Sequence, residues 1–188
     1  GRYVGWIALH SGVAGGAHAI LVPEIPYDID VLAKFLGNRM ESGRRSSIVV
    51  IAEGARQANR AHSVKTKSKN GQVEVLGGAG NHLAMELEQR LHCGVRCTVL
   101  GHLQRGGSPN AYDRILGSRF GSAAVHALAD GDFGKMVALR TPNICRVPLA
   151  EATAQLKTIP MDDDLLVAAR GLGICFGDDL RVPRALAV

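Results

Sequence analysis

Aromatic residues are scarce. Phe, Trp and Tyr make up 4% of the 188 residues, with one Trp. Val, Ile, Leu and Ala must therefore fill any core, and the 46% apolar content supplies them. Such aliphatic, Gly-rich chains are common where a parallel sheet is buried on both faces. Nucleic-acid binding is not expected, because stacking residues are few and no helix-turn-helix, zinc-finger or RNA-binding signature occurs. The four cysteines, Cys93, Cys97, Cys145 and Cys175, form no CxxC pair. They are expected as reduced thiols of a cytoplasmic protein. Cys93 and Cys97 lie beside His92, but the further ligands of a zinc site are missing. No apolar run reaches the roughly 20 residues of a membrane span. No signal-peptide pattern opens the chain. It begins with Gly1 rather than Met, so a processed or partial sequence is expected.

What is present is basic. The formal net charge of +5 favours an anionic partner, and phosphorylated metabolites fit better than nucleic acid. Apolar periodicity then alternates between the two regular types. Trp6 to Ala17 reads as a packed helix, with Gly15-Gly16 as helix-packing glycines. Ala19 to Pro23 reads as a short strand stopped by the proline. Asp28 caps a helix through Val31, Leu32, Phe35, Leu36 and Met40, which Gly43 closes. Ile48 to Ala52 is a strand ending at Glu53-Gly54. Ala55 to Gln72 breaks the rhythm as a polar surface excursion, and its lysines at 65, 67 and 69 read as a solvated face.

A helix follows from Gly80 to Leu91, then a strand at Cys97 to Leu100, then the Gly-rich loop Gly101 to Gly107. Ser108 and Pro109 form a helix opening, and that helix runs to Leu128 and Gly131. A strand over Met136 to Leu139 and helices over Leu149 to Leu156 and Asp164 to Leu172 complete the pattern. Asp162-Asp163-Asp164 reads as a helix N-terminus favoured by the dipole. Everything from Phe176 onward is expected to be loosely held. Strands alternating with helices predict an α/β fold, a parallel sheet with helices on both faces.

In such sheets ligands bind beyond the carboxyl ends of the strands. Glu53 follows one predicted strand; Arg96 opens another, and His102 and Arg105 follow it. A phosphate dianion is best matched by guanidinium groups with planar bidentate hydrogen bonds. Sugar hydroxyls need a carboxylate acceptor. Arg96, His102, Arg105 and Glu53 supply that set. Each also has a plain structural alternative, as an ion-pair partner or a turn cap.

The string Arg96-Cys97-Thr98-Val99-Leu100-Gly101-His102-Leu103-Gln104-Arg105-Gly106-Gly107-Ser108-Pro109, continuing through Tyr112-Asp113-Arg114, closely resembles the fructose 6-phosphate segment of the 6-phosphofructokinase family. Gly1-Arg2-Tyr3-Val4-Gly5 resembles that family's Met-Gly-Arg segment without its Met. Val22-Pro23-Glu24 and Val49 to Gly54 also fit.

The resemblance implies a three-layer αβα fold and a substrate site made of Gly1, Arg2, Glu53, Arg96, His102 and Arg105. Glu53 would accept a sugar hydroxyl. Arg2 would stabilise the transition state of phosphoryl transfer, while His102 and Arg105 hold the 6-phosphate. Arg96 would reach the same phosphate from a neighbouring subunit, which implies a homo-oligomer. The implied reaction is phosphorylation of fructose 6-phosphate at its 1-hydroxyl in glycolysis. Mg2+ with ATP, or with pyrophosphate, would be bound by an N-terminal half that also carries the catalytic base. A non-catalytic sugar-phosphate-binding module is the alternative.

By the same resemblance, residues 1–104 form the sugar-phosphate domain and 105–160 pack on the donor domain. Residues 161–188 then return to the substrate domain. The 188-residue chain by itself is therefore expected to expose apolar surface. Allosteric bacterial members bind an effector partly through a basic stretch like Arg44-Arg45, which otherwise reads as a basic helix end. His18 stands where those members carry an acidic residue.

Overall fold

The computed structural model describes residues 1–58 and 78–178. Most of the polar excursion, including Lys65, Lys67 and Lys69, lies outside the described residues, as do 179–188. The chain divides into two units, Gly1–Val99 with Lys157–Val188 and Leu100–Leu156.

The first unit is built around one short strand, β1 (Ala19–Leu21), which is wholly buried. On one side β1 pairs in parallel with β2 (Val49–Ile51), with Ile20 opposite Val50. On the other it makes a parallel bridge at Cys175, with Ile20 N–H donating to Cys175 O at 2.8 Å. Successive side chains of a strand face opposite ways, and β1 feeds two cores. Ile20 and Val22 pack with Ala8 and Leu9 of α1 (Trp6–Ala14), with Leu166 and Ala169 of α6 (Asp164–Gly171), and with Phe176. Ala19 and Leu21 pack with Leu32 and Leu36 of α2 (Ile29–Glu41) and with Leu83 and Leu87 of α3 (Ala79–Leu91). Helices thus cover both faces of a parallel sheet, the three-layer αβα order expected from the sequence.

Local chemistry explains most boundaries. Asp28 caps α2 by accepting from Asp30 and Val31 N–H, and Asp163 caps α6 through Leu165 and Leu166 N–H. The α1 helix ends at Ala14, three residues before the sequence suggests. Gly15-Gly16 forms its exit turn: a Cβ on Gly15 would meet only Ser11 O of the helix itself, and Gly16, at φ +66, faces open space. The packing glycine is Gly12, where a Cβ would stand 2.5 Å from Ile20 Cδ1. Arg44-Arg45 lies beyond the end of α2, in the connection to β2, and is not a helix end.

Two further expectations are corrected. Cys97 to Leu100 is not a strand: among the described residues none pairs with it, and Val99 is 72% exposed. A strand exists only through a neighbour's ladder, whatever its β propensity. Phe176 is not loosely held. It is 1% exposed, and Gly177 O accepts from Asp28 N–H at 2.6 Å. Its burial comes from the Cys175 bridge, which no local pattern announces.

The second unit begins with a 3-10 turn, Gly101–Arg105. The long helix α4 (Ala111–Ala129) opens two residues beyond Ser108-Pro109. Asn110 Oδ1 accepts from Asp113 N–H at 2.9 Å, and Asp113 Oδ2 accepts from Asn110 N–H at 3.0 Å. This reciprocal capping box satisfies two orphan donors where a Ser108 cap would satisfy one. The strand expected at Met136 to Leu139 is β3 (Lys135–Arg140). It pairs antiparallel with β4 (Asn143–Pro148), so this unit carries a hairpin and not another parallel strand. A short α5 (Leu149–Thr153) follows, where a longer helix to Leu156 was expected. Lys135, and Arg146 after it, hold the Asp132 carboxyl below the usual carboxylate range and tie the base of the hairpin.

Three outcomes follow from this packing. Leu9 is fully buried, so Leu9→Ala should cost about 2–5 kcal/mol, read as a lowered urea midpoint at unchanged slope. In the second unit only Ala127 and Val147 are buried among the described residues, while Ile115, Val125, Leu128 and Phe133 are more than half exposed. The 188-residue chain should therefore bind a hydrophobic dye and self-associate; a monodisperse, dye-silent monomer in light scattering would contradict this.

His18 carries the third. Its Nδ1 accepts from Ile48 N–H at 2.9 Å. Burial, then Arg39 and Arg44, lowers its pKa below 6.5. A lowered folded value means that the unfolded chain takes up the proton first. Stability from His18 is thus present above pH 6.5 and lost as pH falls through the folded value. Unfolding titrations should show this acid loss, and His18→Asn should flatten it.

Candidate functional site

Glu53 stands two residues past β2, at the carboxyl end of the parallel strands. The first residues of the chain lie against the same turn. Gly54 N–H donates to Gly1 O at 3.1 Å. A Cβ on Gly54 would lie 1.7 Å from Arg2 O, so only glycine lets the two backbones approach this closely. That contact places Arg2 Nε 3.8 Å from Glu53 Oε2, with the side chains 51% and 41% exposed.

A loose, solvated ion pair of this kind contributes about 0–1 kcal/mol to stability. Neither group is needed to hold the fold, and both can turn to a ligand at little cost. Glu53 can only accept hydrogen bonds when ionised, as sugar hydroxyls require. Arg2 offers planar donors suited to phosphoryl oxygens.

The structure thus brings together Gly1, Arg2 and Glu53. Arg96 belongs to the same unit, in the segment after α3, and is exposed. His102 and Arg105 lie on the 3-10 turn of the second unit, and His102 is exposed. The Gly101 that opens this turn has φ +50. Among the described residues no group of three or more His, Cys, Asp or Glu side chains could hold a metal ion. No helix among them is long and apolar enough to cross a membrane.

Two residues matter here that chemical reasoning from the sequence passed over. Gly54 admits the Arg2 backbone. Glu24 binds the start of α1, accepting from Gly5 N–H at 3.0 and 3.1 Å. Their signals were present in the Glu53-Gly54 and Pro23-Glu24 pairs, each following a strand, but their partners are distant in sequence.

Comparison with known proteins bears on the same residues. The phosphofructokinase family profile matches residues 1–128, which include every residue named for the site. The chain is 48% identical over 180 residues to an ATP-dependent 6-phosphofructokinase of Chloroflexus aurantiacus, covering 96% of this chain and 49% of that protein. It is 52% identical over 162 residues to a pyrophosphate–fructose 6-phosphate 1-phosphotransferase of Amycolatopsis methanolica, covering 85% and 47%. The chain thus spans about half the length of these curated relatives.

Among solved structures, the Pichia pastoris phosphofructokinase in the T-state superposes with a TM-score of 0.63 at 33% identity, over 82% of this chain and 16% of that one. The pyrophosphate-dependent phosphofructokinase of Marinobacter aquaeolei gives 0.68 at 23% identity, over 94% and 43%, a likeness of fold. With a matching profile over two thirds of its length, relatives near half identity and a shared three-layer fold, the chain belongs to the phosphofructokinase family.

Proposed function

We propose that this chain supplies the fructose 6-phosphate site of a 6-phosphofructokinase. The observation that carries the reading is the Arg2–Glu53 pair, half exposed at the carboxyl end of β2 and set there by Gly54. The names of relatives with either phosphoryl donor support it, since they share the phosphofructokinase reaction.

In this reading Glu53 accepts a hydrogen bond from a sugar hydroxyl and orients the ring. His102 and Arg105 bind the 6-phosphate, and Arg96 contributes to that phosphate in the site of a neighbouring subunit. The sugar's 1-hydroxyl oxygen forms the new P–O bond while the bond from the transferred phosphorus to the donor's leaving oxygen breaks. The hydroxyl proton goes to a base outside this chain. Arg2 faces the charge that develops on the phosphoryl oxygens. Such transfers depend on positioning and charge stabilisation.

Mg2+ on the donor would neutralise phosphate charge. Among the described residues no group of three or more His, Cys, Asp or Glu side chains could hold it. Residues 1–104 and 161–188 serve the sugar-phosphate domain, and 105–160 pack on the donor domain. That packing would cover the exposed apolar residues of α4. The donor is ATP or pyrophosphate, and the enzyme is a cytoplasmic homo-oligomer.

The test uses the protein at its natural length, with fructose 6-phosphate and each donor in turn, and quantifies fructose 1,6-bisphosphate. One donor should support turnover. Glu53→Gln and Arg105→Ala should each weaken sugar-phosphate binding by about 1.5–3 kcal/mol, the range for hydrogen bonds to charged groups. Unchanged affinity in both variants would remove these residues from the site. If neither donor gives product, the binding-module reading remains.

A further inference from the structure

No regular element carries Arg2; it lies in the five-residue lead into α1. Its position depends on what holds that lead. One end is fixed by the Gly54 N–H to Gly1 O bond. The other is fixed by Glu24, which follows β1 after Pro23.

Both Glu24 carboxylate oxygens accept from Gly5 N–H, at 3.0 and 3.1 Å, and Oε1 also accepts from Ile159 N–H at 3.1 Å. Gly5 immediately precedes α1, so this is an anion against the free N–H groups and positive dipole end of a helix. Ile159 is itself buried. One partly buried carboxylate therefore joins the lead, the end of β1 and the segment entering α6. Val4 and Tyr3 separate the clamp from Arg2, too few residues to absorb a displacement of Gly5.

We propose that Glu24 is a positioning residue, whose carboxylate fixes the 1–5 segment so that Arg2 is presented beside Glu53. Its importance for sugar-phosphate binding rests on the function proposed above; the clamp itself does not. Glu24 does not touch the ligand and acts only through Arg2. Glu24→Gln keeps Oε1 as an acceptor but replaces the second oxygen with an amide that cannot accept from Gly5 N–H. It therefore loosens the lead without removing the side chain. Glu24→Ala frees both N–H groups.

The experiment has two readouts on the protein at natural length. The first is hydrogen–deuterium exchange followed by mass spectrometry. Glu24→Gln should speed exchange in the peptides holding residues 1–8 and 157–160, and leave those of α2 unchanged. The second is fructose 6-phosphate affinity in a double-mutant cycle with Arg2→Ala. Glu24→Gln should weaken affinity about tenfold in the native background and less than about twofold once Arg2 is gone.

Equal losses in both backgrounds overturn the proposal, because a general structural role would not depend on Arg2. Unchanged exchange in residues 1–8 also overturns it. If the unmutated protein binds no fructose 6-phosphate, the sugar-phosphate reading fails instead. The exchange readout then decides the clamp alone, with Glu24→Ala as the stronger variant.

Discussion

Everything in the first unit depends on one buried three-residue strand having a parallel neighbour on each side. The β1 strand hydrogen-bonds to β2 along one edge and to the Cys175 segment along the other. Its backbone groups are satisfied although every one of its residues is buried. This frees both faces for apolar packing, and Ile20 and Leu21 enter different cores. Because β1 and β2 run the same way, their carboxyl ends fall on one side. Glu53 after β2 and Glu24 after β1 lie there as a consequence of topology.

The acidic residues at that side have different duties. Glu24 is bound by backbone N–H groups from two distant segments, so its charge is used in building the fold. Among the described residues Glu53 meets a solvated guanidinium at 3.8 Å and no backbone donor, so its charge stays available. A carboxylate whose acceptor sites are filled by backbone cannot bind a sugar, and one left half exposed can. The same distinction separates Arg2 from Arg146: Arg146 is committed to Asp130 and Asp132 in the second unit.

The regular elements were largely legible, because their signals are local. Asp28 before a helical apolar repeat and an aliphatic run before Glu53 both mark what the structure contains. The misreadings share one cause. Cys97 to Leu100 has strand composition but no pairing neighbour among the described residues, β4 is recognisable only as the partner of β3, and Phe176 is buried next to Cys175, which joins the sheet. At the start of α4, two capping signals stand two residues apart, and the reciprocal pair Asn110–Asp113 prevails by satisfying both donors.

The sequence by itself determined the family and the residue types offered for a site. The residue types able to bind a sugar phosphate, and the strings that hold them, can be read without coordinates, since ligand chemistry constrains side chains one at a time. Tertiary structure alone decided which of them meet. Gly54 admits the Arg2 backbone and Glu24 binds Gly5, contacts that span 52 and 19 positions of chain. No pattern of local period encodes such contacts; they arise when parallel strands bring distant segments to one edge.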